Sequence, residues 1–281
     1  MANVLITGSS AGIGRATALR LARSGHRVFA TMREPARSAD LADMARVEKL
    51  PLSILALDVD SDASVAAAFD SIAEPIDVLV NNAGLGIAGA VPELPLDVFR
   101  ASMETNYFGP LRCIHAVLPR MQKAGRGCII NVSSVAGRAW CAPFGPYAPT
   151  KAALEALSEI LAGELRNQNI RVAIVQPGVI DTAMAHKVEA LGPSSYPQSA
   201  RFAELFRVAL SAPVSPDVVA ETIQQIVESD SLQLRYLSGP TAAPLLDWRL
   251  ASSDEAWVAT SAKSDADWWA DVGRHLGVSA P

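Results

Sequence analysis

Thr7-Gly8-Ser9-Ser10-Ala11-Gly12-Ile13-Gly14, directly after the apolar run Val4-Leu5-Ile6, is the stretch on which the fold turns. A short apolar strand, a glycine-rich turn and the start of a helix make the unit that opens a dinucleotide-binding sheet. The glycines let the backbone bend sharply and approach a pyrophosphate, and the free N–H groups and positive dipole end of the helix favour its charge. Gly8, Ser9, Ser10, Gly12, Ile13 and Gly14 are therefore candidate cofactor contacts.

The end of the second strand decides which dinucleotide fits. An NAD site places an acid about 20 residues after the glycine turn for the ribose 2′-hydroxyl, whereas an NADP site puts an Arg nearby for the 2′-phosphate. Here the strand ends Ala30-Thr31-Met32-Arg33, so the acid is missing and Arg33 stands beside the vacant place, with Ser9 in reach from the glycine loop. The expected cofactor is NADP(H), with Arg33 in a charge-assisted contact; Glu34, next in line, is the residue that would oppose it. Asp58-Val59 closes the third strand, where the acid either accepts from the adenine amino group or caps a helix beginning around Ser61. Asn81-Asn82-Ala83-Gly84 closes the fourth, at the carboxyl edge where open α/β sheets bind ligands.

Working outward, β-branched apolar runs alternate with helical segments, which is the pattern of a parallel sheet covered by helices. Strands are expected near Asn3–Thr7, Arg27–Met32, Leu52–Leu57, Ile76–Asn81, Gly127–Val132, Arg171–Gln176 and Leu232–Tyr236. Seven such strands make a Rossmann-type, doubly wound α/β sheet, and continuous apolar runs such as Val78-Leu79-Val80 fit strands buried on both faces. Nothing divides the first 180 residues, so 1–240 reads as one catalytic domain, with a lid at 183–213 around a helix near Ala203–Leu210. Residues 241–281 read as an extension packing on the core; they hold four of the five tryptophans, which suits a packed appendage, a partner surface or the substrate mouth.

The chain has 281 residues, 50% of them hydrophobic and 19% charged, the composition of a globular protein with a sizeable core. A net charge of −5 and the lack of a basic stripe argue against nucleic acid as a partner. Three scattered cysteines, Cys113, Cys128 and Cys141, indicate neither a disulfide framework nor a zinc site, and the four histidines lack metal-ligand spacing, so no metal is expected. With no signal-like or membrane-spanning run, the expected location is cytoplasmic, without a membrane partner.

Tyr147-Ala148-Pro149-Thr150-Lys151 sets a phenol and an ammonium four residues apart, which on a helix is one face. A phenol titrates near pH 10, and a neighbouring cation favours its anion; lowering it by about 3 units takes about 4 kcal/mol of differential stabilisation, which a desolvated cation together with an oxidised nicotinamide would supply. Ser134, thirteen residues before Tyr147 at the end of the fifth strand, is placed to donate a hydrogen bond to a substrate oxygen as charge develops there. Asn106 lies inside the preceding long helix. Pro143, Pro146 and Pro149 push toward a later helix start, on which the facing of Tyr147 and Lys151 depends.

The glycine turn, Asn81–Gly84, Asn106, Ser134, Tyr147 with Lys151, and Pro177-Gly178-Val179-Ile180-Asp181-Thr182, in this order and spacing, resemble the short-chain dehydrogenases/reductases of the ~250-residue core type over roughly residues 3 to 240. The resemblance implies that Tyr147 is the general acid/base, Ser134 polarises the carbonyl, Lys151 also binds the nicotinamide ribose and Asn106 holds a water in a proton relay. It further implies that Thr182 meets the nicotinamide carboxamide and that Val179, with Pro177 and Gly178, lies at that end of the cofactor. A narrower similarity, in the strand end at Arg33, the lid, Leu234-Arg235-Tyr236 and the Trp-bearing extension, is to the hydroxysteroid and retinol dehydrogenase branch, which implies a lipophilic ketone, aldehyde or secondary alcohol as the small-molecule substrate. Family analogy also implies a homodimer or homotetramer.

The expected function is hydride transfer between NADP(H) and a carbonyl or secondary alcohol, in the reductive direction under cellular conditions. The competing class is an NADP(H)-binding sensor or interaction protein without turnover. A dehydratase or epimerase of nucleotide sugars fits the length and glycine spacing less well.

Overall fold

The computed structural model describes residues 1–280; Pro281, the last residue of the expected 241–281 extension, lies outside them. Seven parallel strands form one sheet: β1 (Asn3–Ile6), β2 (Arg27–Met32), β3 (Leu52–Ala56), β4 (Val78–Asn81), β5 (Gly127–Val132), β6 (Ile170–Pro177) and β7 (Arg235–Ser238). Their order is β3-β2-β1-β4-β5-β6-β7. The chain steps outward from β1 to β3, then crosses back to pair β4 with the other edge of β1. That reversal leaves a crevice at the carboxyl ends of β1 and β4.

Side chains alternate along each strand, but helices cover both faces, so both sets are buried. Val4, Ile6, Val78 and Val80 face α1 (Gly12–Arg23), α2 (Ala39–Val47) and α9 (Asp217–Glu228) through Leu21, Leu41 and Ile223. Leu5, Leu79 and Ile129 face the other way, toward α3 (Asp62–Asp70), α5 (Gly109–Ala124) and α6 (Ala148–Glu164) through Phe69, Ile114 and Leu161. Residues 4–6 are fully buried, as the unbroken apolar run requires.

Two expectations are corrected. The seventh strand runs over Arg235–Ser238 rather than Leu232–Tyr236: Leu232 is 61% exposed, and pairing with β6 starts at Ile174 opposite Arg235. Asn106 lies, as expected, inside a long helical run, which comprises α4 (Leu96–Met103), a π-helical turn (Glu104–Phe108) and α5 without a gap. The lid carries two helices, α7 (Ala183–Glu189) and α8 (Pro197–Ser211), not one short helix near 203–210. Pro197 occupies the first turn of α8, where its missing N–H costs nothing, and that sets the start earlier.

After β7 come α10 (Ala242–Ala251), α11 (Asp254–Thr260) and α12 (Asp265–Leu276). They pack through Trp248 and Trp257, rings edge-to-face at 5.2 Å, against Ala139 and Cys141. The Trp257 indole N–H donates to the Trp140 carbonyl, and Trp248 stacks on His275 at 4.5 Å. Of the alternatives open for the tryptophans, packing on the core accounts for these contacts. No described helix is long and apolar enough to cross a membrane.

Candidate active site

A cavity of about 350 Å³ runs along the carboxyl edge of the sheet, from the glycine turn and Arg33 to Ser134, Tyr147 and Lys151. Its glycine end is built by close backbone approach. Gly8 has φ +70°, and a β-carbon there would fall 2.7 Å from the Ala83 Cα. At Gly14 it would fall 2.3 Å from the Gly8 carbonyl oxygen and 2.4 Å from Asn82 Nδ2, so this glycine serves packing and does not line the cavity.

Asn82 stitches β4 to the turn. Its Nδ2 donates to the carbonyls of Thr7 (2.9 Å) and Gly8 (3.1 Å), while the Thr7 hydroxyl accepts from the backbone N–H groups of Asn82 and Ala83, both at 3.0 Å. Thr7, just past β1, does not line the cavity but holds the turn against the end of β4. A shape in which only glycine fits, at a helix N-terminus, suits a pyrophosphate, so the residues present fit a dinucleotide.

Ser10, Gly12, Ile13, Arg33, Asp58, Val59, Asn82, Ala83 and Gly84 all line this cavity, as do Pro177, Gly178, Val179 and Thr182 at the opposite side. Ser9 is a correction. It is fully buried and its hydroxyl donates to the Ile6 carbonyl at 3.0 Å, so it supports the strand end and does not face a ligand. Glu34 pairs with Arg37 at 2.8 Å, while Arg33 stays exposed at the cavity rim. Asp58 accepts from the Asp60 N–H at 3.2 Å; the cap of α3 is instead Ser61, which accepts from the Ser64 N–H.

Tyr147 immediately precedes α6, with Pro149 in the first turn where no backbone donor is needed. The Lys151 N–H donates to the Tyr147 carbonyl at 3.2 Å, so the four-residue spacing keeps both side chains on one face, and Lys151 Nζ sits 5.7 Å from the centre of the phenol ring. Phe144 stacks on Tyr147 at 4.5 Å, and Phe202 of the lid packs edge-on to Phe144. Ser134, two residues past the end of β5, has extended backbone and accepts from the Ala136 N–H at 3.1 Å.

Burial dominates the electrostatics. It pushes the Tyr147 phenol up to about 12, partly offset by the nearby Ser134 hydroxyl, and draws the Lys151 ammonium down to about 8, opposed by the Glu155 carboxylate one turn on. Lys151 Nζ, 5.7 Å from the ring centre, donates to the Val132 carbonyl at 2.8 Å, and in the protein alone desolvation dominates the phenol.

The Asn106 side chain, for which the resemblance implied a water-holding part, is bonded to protein groups. Its Nδ2 donates to the Leu85 carbonyl (2.8 Å) and the Thr150 hydroxyl (2.9 Å), and its Oδ1 accepts from the Leu85 N–H (2.7 Å). Both donors are taken. Thr150 donates in turn to the Tyr147 carbonyl at 2.7 Å, so Asn106 ties the loop after β4 to the start of α6. The π-helical turn aims its side chain inward, which is a common use of such turns.

A family model described as short chain dehydrogenase matches residues 2–191. Retinol dehydrogenase 8 of Homo sapiens is 34% identical over 275 residues, covering 92% of this chain and 88% of that protein. 3-Ketodihydrosphingosine reductase of Bacteroides thetaiotaomicron is 40% identical over 182 residues, 64% of each chain, so the match spans just under two thirds of that relative. A short-chain dehydrogenase structure from Streptomyces avermitilis has a TM-score of 0.77 at 30% identity, covering 97% of this chain and 98% of that one. A short chain dehydrogenase from Burkholderia cenocepacia J2315 in complex with NADP has a TM-score of 0.72 at 25% identity, covering 89% and 93%. The chain belongs to the short-chain dehydrogenase family, oxidoreductases that act on alcohol and ketone groups with NAD(P).

Proposed function

We propose that this protein is an NADP(H)-dependent reductase of lipophilic carbonyl compounds, with Tyr147, Ser134 and Lys151 as its catalytic residues and Asn106 as a positioning residue. The observation that carries the reading is one continuous cavity with a glycine turn and an exposed Arg at one end and a phenol, a hydroxyl and a buried ammonium at the other. A protein that only bound the nucleotide has no need of that second end.

The cofactor, when bound, supplies the hydride. The phenol of Tyr147, protonated at neutral pH with its value near 12, gives its proton to the substrate carbonyl oxygen as the carbonyl carbon is reduced, so ketone becomes secondary alcohol. Ser134 donates a hydrogen bond to the same oxygen, and its backbone is held by the turn that follows β5. Lys151, protonated below about pH 8, offsets the phenolate left behind and would hold the nicotinamide ribose. Asn106, through Thr150, holds the backbone of Tyr147 in register with the loop at Gly84.

NADP(H) is favoured over NAD(H) by this chain's own strand end: no acid follows Met32, and Glu34 is engaged with Arg37. Arg33→Ala is expected to lower kcat/KM with NADPH by about 10- to 100-fold, the worth of a hydrogen bond to a charged group, and to change NADH rates little. Initial rates with both nucleotides check this; a wild-type preference for NADH overturns it. A lipophilic substrate is supported by Phe144, Val179 and Phe206 beside Ser134 and by the relatives named for retinol and 3-ketodihydrosphingosine.

A further inference from the structure

Behind Ser134 a second chamber of about 120 Å³ opens between the lid and the C-terminal helices. It shares Ser134, Phe144, Gly178 and Val179 with the nucleotide-side cavity and ends against Trp248, Trp257 and Trp268. Its wall is apolar apart from a few hydroxyls, one amide and one charged side chain, Arg201 of α8. The Arg201 side chain is only 12% exposed. Its Nε donates to Asp265 at the start of α12, yet its Nη1 is buried and has no hydrogen-bond partner among the described residues. The chamber's amide, Gln198, already spends its Nε2 on the Ser261 carbonyl at 2.9 Å.

A buried guanidinium N–H without an acceptor is costly, and one that lines a chamber calls for an acceptor from whatever fills that chamber, a ligand or an ordered water. We propose that Arg201 is a specificity residue: its Nη1 receives an acceptor oxygen carried by the substrate at the end remote from the reacting carbonyl. This rests on the reductase reading for the near end of the substrate, at Tyr147 and Ser134. The substrate class is then an apolar carbonyl compound with a second oxygen across its apolar body, a hydroxyl or a carboxylate. Because Asp265 already balances the Arg201 charge, a neutral oxygen satisfies Nη1 as well as an anionic one. The C-terminal helices gain a function by this: Asp265 holds the guanidinium while the tryptophans close the apolar wall around the body of the substrate.

The test uses 2-alkanones of eight to twelve carbons with their ω-hydroxy and ω-carboxylate counterparts. Calorimetric titration of the full chain, with and without NADP⁺, gives a Kd for each without turnover, and NADPH-linked kcat/KM is measured in parallel. The best-fitting oxygenated chain is expected to bind about tenfold or more tighter than its plain alkanone, the worth of a hydrogen bond to a charged group. Arg201→Met brings that ratio close to one, and Asp265→Asn keeps a clear preference. The hydroxy and carboxylate arms identify the oxygen. A wild-type ratio near one at every length, a ratio kept in Arg201→Met, or a loss in Asp265→Asn equal to that in Arg201→Met overturns the assignment. An intact binding ratio with no turnover of any alkanone overturns the reductase reading and leaves the Arg201 assignment standing.

Discussion

Tyr147→Phe is expected to lower kcat for carbonyl reduction by about 10²- to 10⁴-fold, the span that a positioned general acid supplies, with NADPH affinity near wild type. The substitution removes one oxygen. The ring keeps its stacking on Phe144 and its place before α6, and the backbone bonds from Thr150 and Lys151 to the Tyr147 carbonyl are untouched. The loss therefore falls on a proton that moves in the transition state, and it shows in kcat and kcat/KM together. Initial rates and a fluorescence titration of NADPH separate the two effects. A variant that keeps more than about a tenth of the rate shows that the proton comes from elsewhere; one that loses NADPH binding shows a broken site.

Gly14→Ala is expected to undo the nucleotide end. The added carbon must displace the Gly8 carbonyl and the Asn82 amide, which are hydrogen-bonded to each other at 3.1 Å. Neither is the loose end of a flexible chain, since Asn82 also holds Thr7. Overpacking of this kind costs about 1–3 kcal/mol, and here it deforms the turn that would take the pyrophosphate. Thermal unfolding is expected to drop by several degrees and NADPH affinity by more than tenfold, about 1.4 kcal/mol. Gly163→Ala is the control: in α6, with nothing within 4 Å of the new carbon, it is expected to be neutral or stabilising by up to about 1 kcal/mol. If both substitutions behave alike, the close approach at Gly14 is not what the turn depends on.

Much of the nucleotide end was legible because it is local. A strand, a turn that only glycine can make and a helix start lie within twelve residues, and each constrains the backbone by itself. The pairing of Tyr147 with Lys151 is equally local, and Pro149 leaves it intact because proline suits a first turn. What was not legible depends on partners far along the chain. Ser9 turns inward, its hydroxyl joining that of Thr31 on the Ile6 carbonyl at the buried end of β1. Asn106 has both donors filled by Leu85 and Thr150, a fact that exists only once the loop after β4 meets α6. Burial raises the phenol, and residue spacing carries no measure of burial. β7 was misread from an apolar residue, Leu232, that lies in solvent, whereas the strand is set by its register with β6. The second chamber needs residues near 200 and residues beyond 245 to meet, and no motif encodes that meeting.

The most direct test of the account is label transfer. NADPH carrying deuterium at the transferable position of the nicotinamide is incubated with the full-length protein and a panel of lipophilic ketones and aldehydes, and the products are read by mass spectrometry. One deuterium is expected on the carbinol carbon of at least one product, with Tyr147→Phe transferring label at least about 100-fold more slowly. Tight NADPH binding with no labelled alcohol from any member of the panel contradicts it, and makes the protein a binder of the nucleotide instead of a reductase.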